Sequence, residues 1–356
     1  MFSGIPENKP IPVAVLSQKP KSIKKKILNF IRLNLFLPDA KILWYLSAYL
    51  VGKKIIKKEN PDLIFSSSPP PTTHLIASKL AKKFNIKWIA DFRDPWSKIH
   101  YYQNQRISLI QKLDEKLENR IQTQCDVITC ASKNFADLLM IQNKEKIQVI
   151  YNGFDENDMI SESRKNEDVF NIVYIGGLNQ NRYYPDFFRQ LSSAYTEKIL
   201  DPQKCNLIIA GSIEDNIKNE LETMFAKFNS YQFLGYVEHK EAMTLMQKAG
   251  ILLLFLEDIV GYEGHVPGKL FEYLITGNPI LGVGNAKGDT THILEETGAG
   301  KILDKNTDFK AQIKIYYDDW LNNRKIKIPL EKIDKYSRIR LTEQLAKIFE
   351  KLSDES

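Results

Sequence analysis

The sequence predicts an α/β protein built from two parallel-sheet domains. From Asp62 onward, short apolar strands alternate with helix-length amphipathic segments, which is the pattern of parallel βαβ units. The polar stretch 156–168 interrupts this alternation once. A length of 356 residues with 43% hydrophobic residues is enough for two cores. We therefore predict one domain at 1–155, a second at 156–330, and a final helical segment at 331–356.

In the first half, the pattern predicts a strand at 11–16 and helices at 23–36 and 40–58. The alternating strands are then expected at 63–66, 87–90, 127–129 and 148–151, with helices at 72–84, 106–122 and 132–141. The carboxyl ends of parallel strands meet at one edge of a sheet. The loops SSSPPPTTH, with His74, and DFRDPW are therefore expected to face one crevice.

In the second half, the same rhythm resumes with a strand at 172–174 and a glycine turn. Further strands are expected at 207–210, 232–234, 251–254 and 279–283. One helix is expected to start near 185, a second to end near 228 and a third to span 240–248. A terminal helix is expected at 333–352.

The segment HVPGKLFEYLITGNPIL, residues 265–281, is the strongest candidate for a ligand site. Pro267 suits the first position of a helix, and Gly268 lets a ligand approach the backbone. Lys269 lies beside the free N–H groups of that helix start, and Glu272 follows one turn later. Such a helix N-terminus attracts anions, although strand, glycine turn and helix also occur in α/β proteins without a ligand there.

Two further motifs carry charged or glycine residues at predicted strand ends. DFRDPW supplies Asp91 and Asp94, which either form a salt-bridged turn anchored by Trp96 or face a ligand in the crevice. YIGGLNQNR supplies Gly176, Gly177 and Arg182, but no G-x-G-x-x-G follows, which argues against a dinucleotide site.

The pattern P-x-K-x-x-E-Y-L-x-x-G-x-P resembles the donor-site segment of glycosyltransferase family 4. PDLIFSSSPP, DFRDPW and VIYNGFD resemble motifs of the same family. The resemblance implies a GT-B fold, in which two Rossmann-like domains face a cleft and the terminal helix crosses back to the N-terminal domain. It also implies that Glu272 holds the ribose, that Arg182 and Lys269 hold the diphosphate of a nucleotide-sugar, and that Asp91 or Asp94 acts at the reacting end.

The sequence departs from the family pattern at three places. The family often has a second glutamate close to the donor sugar, where this chain has Gly264; a bulged loop could bring in Glu263, or His265 could serve instead. Gly177 replaces an arginine of the diphosphate clamp. The N-terminal domain also resembles one that starts at its third strand, which predicts that roughly 70 residues are missing.

Charge and cysteine content limit the partners. Residues 1–90 contain 16 Lys or Arg and 4 acidic residues. This excess of positive charge favours either a solvated surface or contact with an anionic membrane leaflet over binding of nucleic acid.

The three cysteines show no zinc-site or disulfide spacing. The longest apolar patch, at 42–51, is about half the ~20 residues a membrane span needs. We expect no metal and no cofactor, and a cytoplasmic protein that is soluble or peripheral on the inner membrane face.

These observations predict a retaining glycosyltransferase that moves a sugar, hexosyl or related, from a nucleotide-sugar to a cell-surface glycan or lipid-linked acceptor, as in polysaccharide or lipopolysaccharide biosynthesis. Two alternatives use the same fold. A sugar-nucleotide epimerase would release a changed nucleotide-sugar without an acceptor. A non-catalytic paralogue would bind the nucleotide without turnover, and the shortened start and Gly177 favour it.

Overall fold

The computed structural model describes residues 23–99, 105–141, 143–158, 168–257, 259, 263–324 and 328–354. The predicted strand at 11–16 lies outside these residues. The chain divides into two compact units, the first comprising Met1–Ile128 and Leu139–Lys146, the second Thr129–Leu138 and Ile147–Ser356. The domain bounds placed by sequence at 155/156 and 330/331 stay predictions.

The first half of the chain alternates helices and strands as predicted. Its helices are α1 (Ile23–Leu35), α2 (Tyr45–Glu59), α3 (Thr72–Phe84), α4 (Ser108–Gln124) and α5 (Lys133–Leu138), and a 3₁₀ helix at Ala40–Trp44 precedes α2. Its strands are β1 (Leu63–Ser68), β2 (Lys87–Phe92), β3 (Val127–Cys130) and β4 (Ile147–Val149), which form a four-stranded sheet in the order β1-β2-β3-β4. β1 and β2 run parallel, with Ser67 opposite Asp91.

Buried Asp39 fixes the start of α3. Its carboxylate accepts hydrogen bonds from the backbone N–H and the hydroxyl of Thr72 at 2.8 and 2.9 Å, and from the N–H of Lys41 at 2.7 Å. Negative charge at a helix start compensates the unpaired N–H groups there. α3 ends at Phe84 and is capped by Asn85, whose φ of 55° is the left-handed conformation that closes many helices. One carboxylate thus joins the short 3₁₀ helix to α3.

The second half of the chain builds a six-stranded sheet. Its strands are β5 (Phe170–Ile175), β6 (Cys205–Ala210), β7 (Tyr231–Gly235), β8 (Ala249–Phe255), β9 (Ile280–Val283) and β10 (Gly300–Leu303), in the order β10-β9-β8-β5-β6-β7 with every pair parallel. The helices are α6 (Pro185–Thr196), α7 (Asp215–Phe225), α8 (His239–Gln247), α9 (Gly268–Thr276), α10 (Asp289–Thr297), α11 (Phe309–Leu321), α12 (Leu330–Ile333) and α13 (Arg338–Asp354).

Two apolar layers enclose the six-stranded sheet. One contains Phe187, Phe255 and Phe309, and the other contains Leu252, Phe271 and Ile280, all fully buried. Both faces of a parallel sheet are normally covered by its crossover helices, which explains the near-continuous apolar sequence of β8. The predicted α/β class with two parallel sheets is confirmed.

The structure adds elements that the sequence pattern did not reveal. α10, β10 and α11 fill the stretch between β9 and the terminal helices, where no element was predicted. The three cysteines are buried free thiols. Among the helices that the structure describes, none has the length and apolar character that crossing a membrane requires.

Candidate functional site

A glycine turn at the carboxyl end of β5 forms the floor of the candidate site. Gly176 has a φ of +129° and lies so close to Gly211 that a Cβ on Gly211 would stand 2.2 Å from the carbonyl oxygen of Gly176. Gly211 itself has a φ of +131°, a conformation that residues with a Cβ rarely adopt. The chain therefore needs glycine at both positions to pass from β5 and β6 into the turn.

Lys269 reaches this turn from the start of α9. Its Nζ donates a hydrogen bond to the carbonyl oxygen of Ile175 at 3.0 Å and lies 4.1 Å from the centre of the Tyr174 ring. It is also 3.2 Å from the position that a Cβ on Gly176 would take. Burial, and then the charge of Arg182, lower the pKa of Lys269 to about 7, against a smaller opposing effect of Glu272.

Arg182 lies at the same strand end. It forms an ion pair with Glu257, with 3.1 Å between Nη2 and Oε1, and both side chains are largely buried. The hydroxyl of Tyr174 donates to the carbonyl oxygen of Gly177 at 2.9 Å, and burial raises the pKa of Tyr174 to about 12. Arg182 and Lys269 thus place two cationic side chains around one glycine turn.

Helix α9 is attached to two strand ends through Tyr273. The Tyr273 hydroxyl donates to the carbonyl oxygen of Leu253 at 3.2 Å and accepts the N–H of Ile175 at 3.1 Å. At the N-terminus of the helix, no atom lies within 4 Å of the position a Cβ would take on Gly268. The space beside Gly268 at the start of α9 is therefore open, and half-buried Glu272 lies one turn further along.

Glu263 and His265, the two alternatives for a sugar contact, line the same small cavity of about 20 Å³, together with Glu257 and Thr291. The backbone of this segment is held by α10, since the carbonyl oxygen of Glu263 accepts the N–H of Asp289 at 3.1 Å. The Thr290 hydroxyl donates to the carbonyl oxygen of His265, also at 3.1 Å. A volume near that of one water molecule is too small for a sugar ring in this state.

Gly264, between Glu263 and His265, packs against the Phe135 ring and leaves no room for a side chain. A Cβ at this position would stand 2.2 Å from the Phe135 ring, so a glutamate cannot replace it without displacing that ring.

A larger pocket of about 390 Å³ lies beside the residues that follow the glycine turn. It is lined by Gln180, Asn181, Tyr184, Lys305 and Asn306. Its size falls within the range of ligand pockets.

Asp91 and Asp94 lie in the first unit. The Asp91 carboxylate is buried; it accepts a hydrogen bond from the Ser67 hydroxyl at 2.6 Å and lies 3.4 Å from an Arg93 nitrogen. Asp94 is half-buried. The loop is anchored by Trp96, whose indole N–H donates to buried Asp114 at 3.0 Å. The salt-bridged turn that the sequence suggested is thus present.

His74 is buried among polar and aromatic partners. Its two ring nitrogens lie 2.8 Å from the hydroxyls of Ser66 and Ser68, and its ring centre is 4.5 Å from that of Phe92. Burial lowers the pKa of His74 to about 3. A neutral, enclosed imidazole of this kind holds β1 and α3 together and does not reach a ligand.

The sequence interpretation missed Glu257, Tyr174 and Tyr273 as parts of this site. Glu257 follows the apolar strand β8, and a carboxylate at the carboxyl end of a parallel strand is a signal that could have been used. Tyr174 lies within an apolar run, where an aromatic residue is usually predicted to belong to the core, and Tyr273 was expected at the edge of its helix, whereas the structure buries it. Within the described residues, no cluster of three His, Cys, Asp or Glu side chains is arranged to hold a metal ion.

The sequence profile of the family described as Glycosyltransferase Family 4 matches residues 10–158. This N-terminal part of the chain is thus similar to glycosyltransferase family 4. No curated protein matches it by sequence.

Solved structures of GT-B proteins share the fold of this chain at low identity. The Anabaena protein Alr3699/HepE, in complex with UDP, superposes with a TM-score of 0.63 at 16% identity, over 85% of this chain and 82% of that chain. Sucrose-phosphate synthase from Thermosynechococcus elongatus gives 0.63 at 14%, over 89% and 80%. The lipopolysaccharide outer core galactosyltransferase WaaB gives 0.59 at 14%, over 88% and 82%.

Proposed function

We propose that this glycosyltransferase transfers a sugar, hexosyl or related, with retention of configuration from a nucleotide-sugar to a cell-surface glycan or lipid-linked acceptor. The observation that carries the proposal is the pair of cations, Arg182 and Lys269, around the glycine turn beside the open N-terminus of α9. Backbone N–H groups with two cationic side chains suit a diphosphate. The UDP in the HepE crystal supports a uridine nucleotide as the first donor to test.

In the proposed reaction, the bond between the anomeric carbon and the diphosphate oxygen breaks while the acceptor oxygen attacks the same face of the sugar. The acceptor proton passes to the departing diphosphate. Arg182 and Lys269 stabilise the negative charge that develops there, which lowers the barrier more than it stabilises the bound donor. A protein nucleophile is not needed for this route.

The family's diphosphate clamp has an arginine at the position of Gly177. We propose that Lys269 takes the role of this arginine. Its Nζ lies 3.2 Å from a Cβ position on Gly176, which places the amine next to the turn where the diphosphate is proposed to bind. Glu272 is proposed to accept hydrogen bonds from the ribose, and Glu263 or His265 to contact the sugar. Because two cations would balance the diphosphate, we propose that the transfer needs no metal, and activity in EDTA tests this.

The acceptor is proposed to lie at the cytoplasmic face of the membrane, where the basic N-terminal region attaches the protein. The excess of Lys and Arg over acidic residues in residues 1–90 supports this placement. Asp91 and Asp94 are proposed to act at the reacting end. Asp91→Asn is expected to lower kcat and leave donor binding unchanged.

A thermal-shift panel of nucleotides and nucleotide-sugars tests the donor site. UDP and UDP-glucose at about 100 times their Kd should stabilise the folded chain by about 2.7 kcal/mol, and Lys269→Gln should reduce this effect. If no nucleotide stabilises the chain, the proposal is wrong.

Product analysis with and without acceptor then separates the alternatives. Glycan formation that depends on acceptor supports a transferase, an altered nucleotide-sugar released without acceptor identifies an epimerase, and binding without turnover identifies a non-catalytic relative.

A further inference from the structure

Helix α1 in the first unit exposes most of its apolar residues. Of its side chains that the structure describes, only Leu33 and Asn34 are buried, whereas the exposed apolar side chains are Ile23, Ile27, Leu28, Phe30, Ile31 and Leu35. Most of these recur at i, i+4, i+7, i+8 and i+12, which is the spacing of one helix face. An apolar helix face left in solvent is an interaction surface.

The 3₁₀ helix at Ala40–Trp44 and helix α2 also expose apolar residues. Tyr49 and Ile56 of α2 pack against a small core cluster, while Leu43, Leu46 and Leu50 are exposed. Trp44, just before α2, is 51% exposed, whereas Trp88 and Trp96 are at most 2% exposed. We call these exposed residues of α1, the 3₁₀ helix and α2 the α1/α2 surface.

Basic residues accompany this apolar surface. Residues 23–60 contain nine Lys or Arg and two acidic residues. Of the two, Asp39 is buried and bonded to Thr72, and Glu59 pairs with Lys58 at 2.7 Å. The surface is therefore apolar and strongly positive, with both acidic charges already engaged.

A basic groove of about 850 Å³ adjoins α2. Tyr45 and Tyr49 form part of its wall, with their rings stacked 6.4 Å apart, and exposed lysines of α3 stand along its rim. The cationic lining residues are Lys79, Lys82, Lys83 and Arg120. A groove with aromatic walls and four cations, and without a carboxylate among its lining residues, suits a phosphate head group.

We propose that the α1/α2 surface and this groove bind the interface of an anionic lipid bilayer. Charge complementarity favours a bilayer over a second copy of the chain, because two such surfaces would bring like charges together. In this arrangement the leucines and Trp44 enter the boundary between head groups and acyl chains, and the lysines contact lipid phosphates. The inference rests on the membrane association proposed above and assigns the residues that produce it.

Vesicle flotation with a matched set of charge variants tests the groove. The vesicles are phosphatidylcholine with or without phosphatidylglycerol. The triple variant Lys79→Gln, Lys82→Gln, Lys83→Gln should lose affinity for anionic vesicles on the order of 100-fold, since each lysine near a membrane surface contributes about fivefold. The control triple Lys227→Gln, Lys240→Gln, Lys301→Gln makes the same charge change on exposed lysines of the second unit and should bind like wild type.

Tryptophan fluorescence tests the apolar part. Emission should shift to shorter wavelength when anionic vesicles are added, and Trp44→Phe should abolish the shift while most binding persists. Leu46→Ser with Leu50→Ser should weaken binding about tenfold or more, whereas Leu234→Ser with Leu330→Ser, exposed leucines of the second unit, should not.

The outcomes separate this inference from the proposed function. If wild type binds anionic vesicles but both sets of surface variants bind equally well, the membrane contact lies elsewhere and the inference is overturned. If wild type ignores anionic vesicles and forms a dimer that Leu46→Ser with Leu50→Ser dissociates, the surface binds a second copy and the inference is again wrong. Stabilisation by UDP-glucose, measured on every variant, reports folding and the donor site independently.

Discussion

Donor binding should weaken as pH rises above 7, because Lys269 is only partly protonated in the empty site. Burial among Ile175, Tyr174 and the turn, and then the charge of Arg182, lower its pKa to about 7 from an ordinary 10.5. A diphosphate beside the amine supplies the opposite charge and should return the pKa toward the ordinary value. The protonated form is then the one that binds.

The magnitude follows from this difference. When only the protonated enzyme binds well, the apparent Kd rises about tenfold for each pH unit above 7, so the change from pH 6 to pH 9 is about 100-fold, or roughly 2.7 kcal/mol. At pH 8, binding should take up close to one proton per site. UDP-glucose is a suitable probe because its diphosphate does not titrate in this range.

Isothermal titration calorimetry in two buffers of different ionisation enthalpy measures both the Kd and the proton uptake. Lys269→Gln should bind weakly at every pH and take up no proton. Arg182→Gln should also bind weakly, but the onset of its pH dependence should move upward, because the charge that lowers the pKa of Lys269 is gone. A wild-type Kd that stays constant from pH 6 to pH 9 would refute the reasoning.

Three further predictions concern stability and binding. Buried His74 stays neutral, whereas the histidine of the unfolded chain becomes protonated as pH falls through 6.5, so the free energy of unfolding should drop by about 1.7 kcal/mol between pH 6.5 and 5. Chemical denaturation of His74→Gln at both pH values should lack this part of the decrease. Gly211→Ala should cost about 2–4 kcal/mol, because its Cβ would overlap the carbonyl oxygen of Gly176 at a positive φ, whereas Gly268→Ala, with open space at its Cβ, should melt like wild type. Glu257→Gln should weaken UDP-glucose binding by about 1–2 kcal/mol if the carboxylate positions Arg182 through their ion pair. If wild type and the variant bind UDP-glucose equally well in a titration, the ion pair is not needed for binding.

The alternation of strands and helices could be predicted from the sequence because it depends on local patterns. Helix α3 runs over Thr72–Phe84 as predicted, since the apolar spacing and the prolines before it define its limits. Helix α9 spans Gly268–Thr276 and is closed by Gly277, while Pro267 precedes the helix and does not take its predicted first position. In contrast, α10, with the sequence DTTHILEET, contains three threonines, which are weak helix formers, and its pattern was too short to be recognised.

The residues around the glycine turn at the end of β5 could be predicted only partly from the sequence. The motifs HVPGKLFEYLITGNPIL and YIGGLNQNR identified Lys269, Arg182 and the glycine turn, because glycines and charged residues after predicted strands can be recognised in the sequence itself. It did not reveal that Glu257 pairs with Arg182 or that the Tyr174 ring lies under the Lys269 amine. Both contacts join residues more than 70 positions apart, so they exist only once the six-stranded sheet has assembled its strand ends.

The exposure of the α1/α2 surface was also decided by the tertiary structure. In the sequence, Leu43, Leu46 and Leu50 belong to the apolar patch at 42–51, and an apolar helix face has the same pattern whether it packs on a core or stays exposed. The structure buries Ile56 and leaves these leucines in solvent. Periodicity determines which residues share a face, but only the packing of neighbouring elements determines which face is covered.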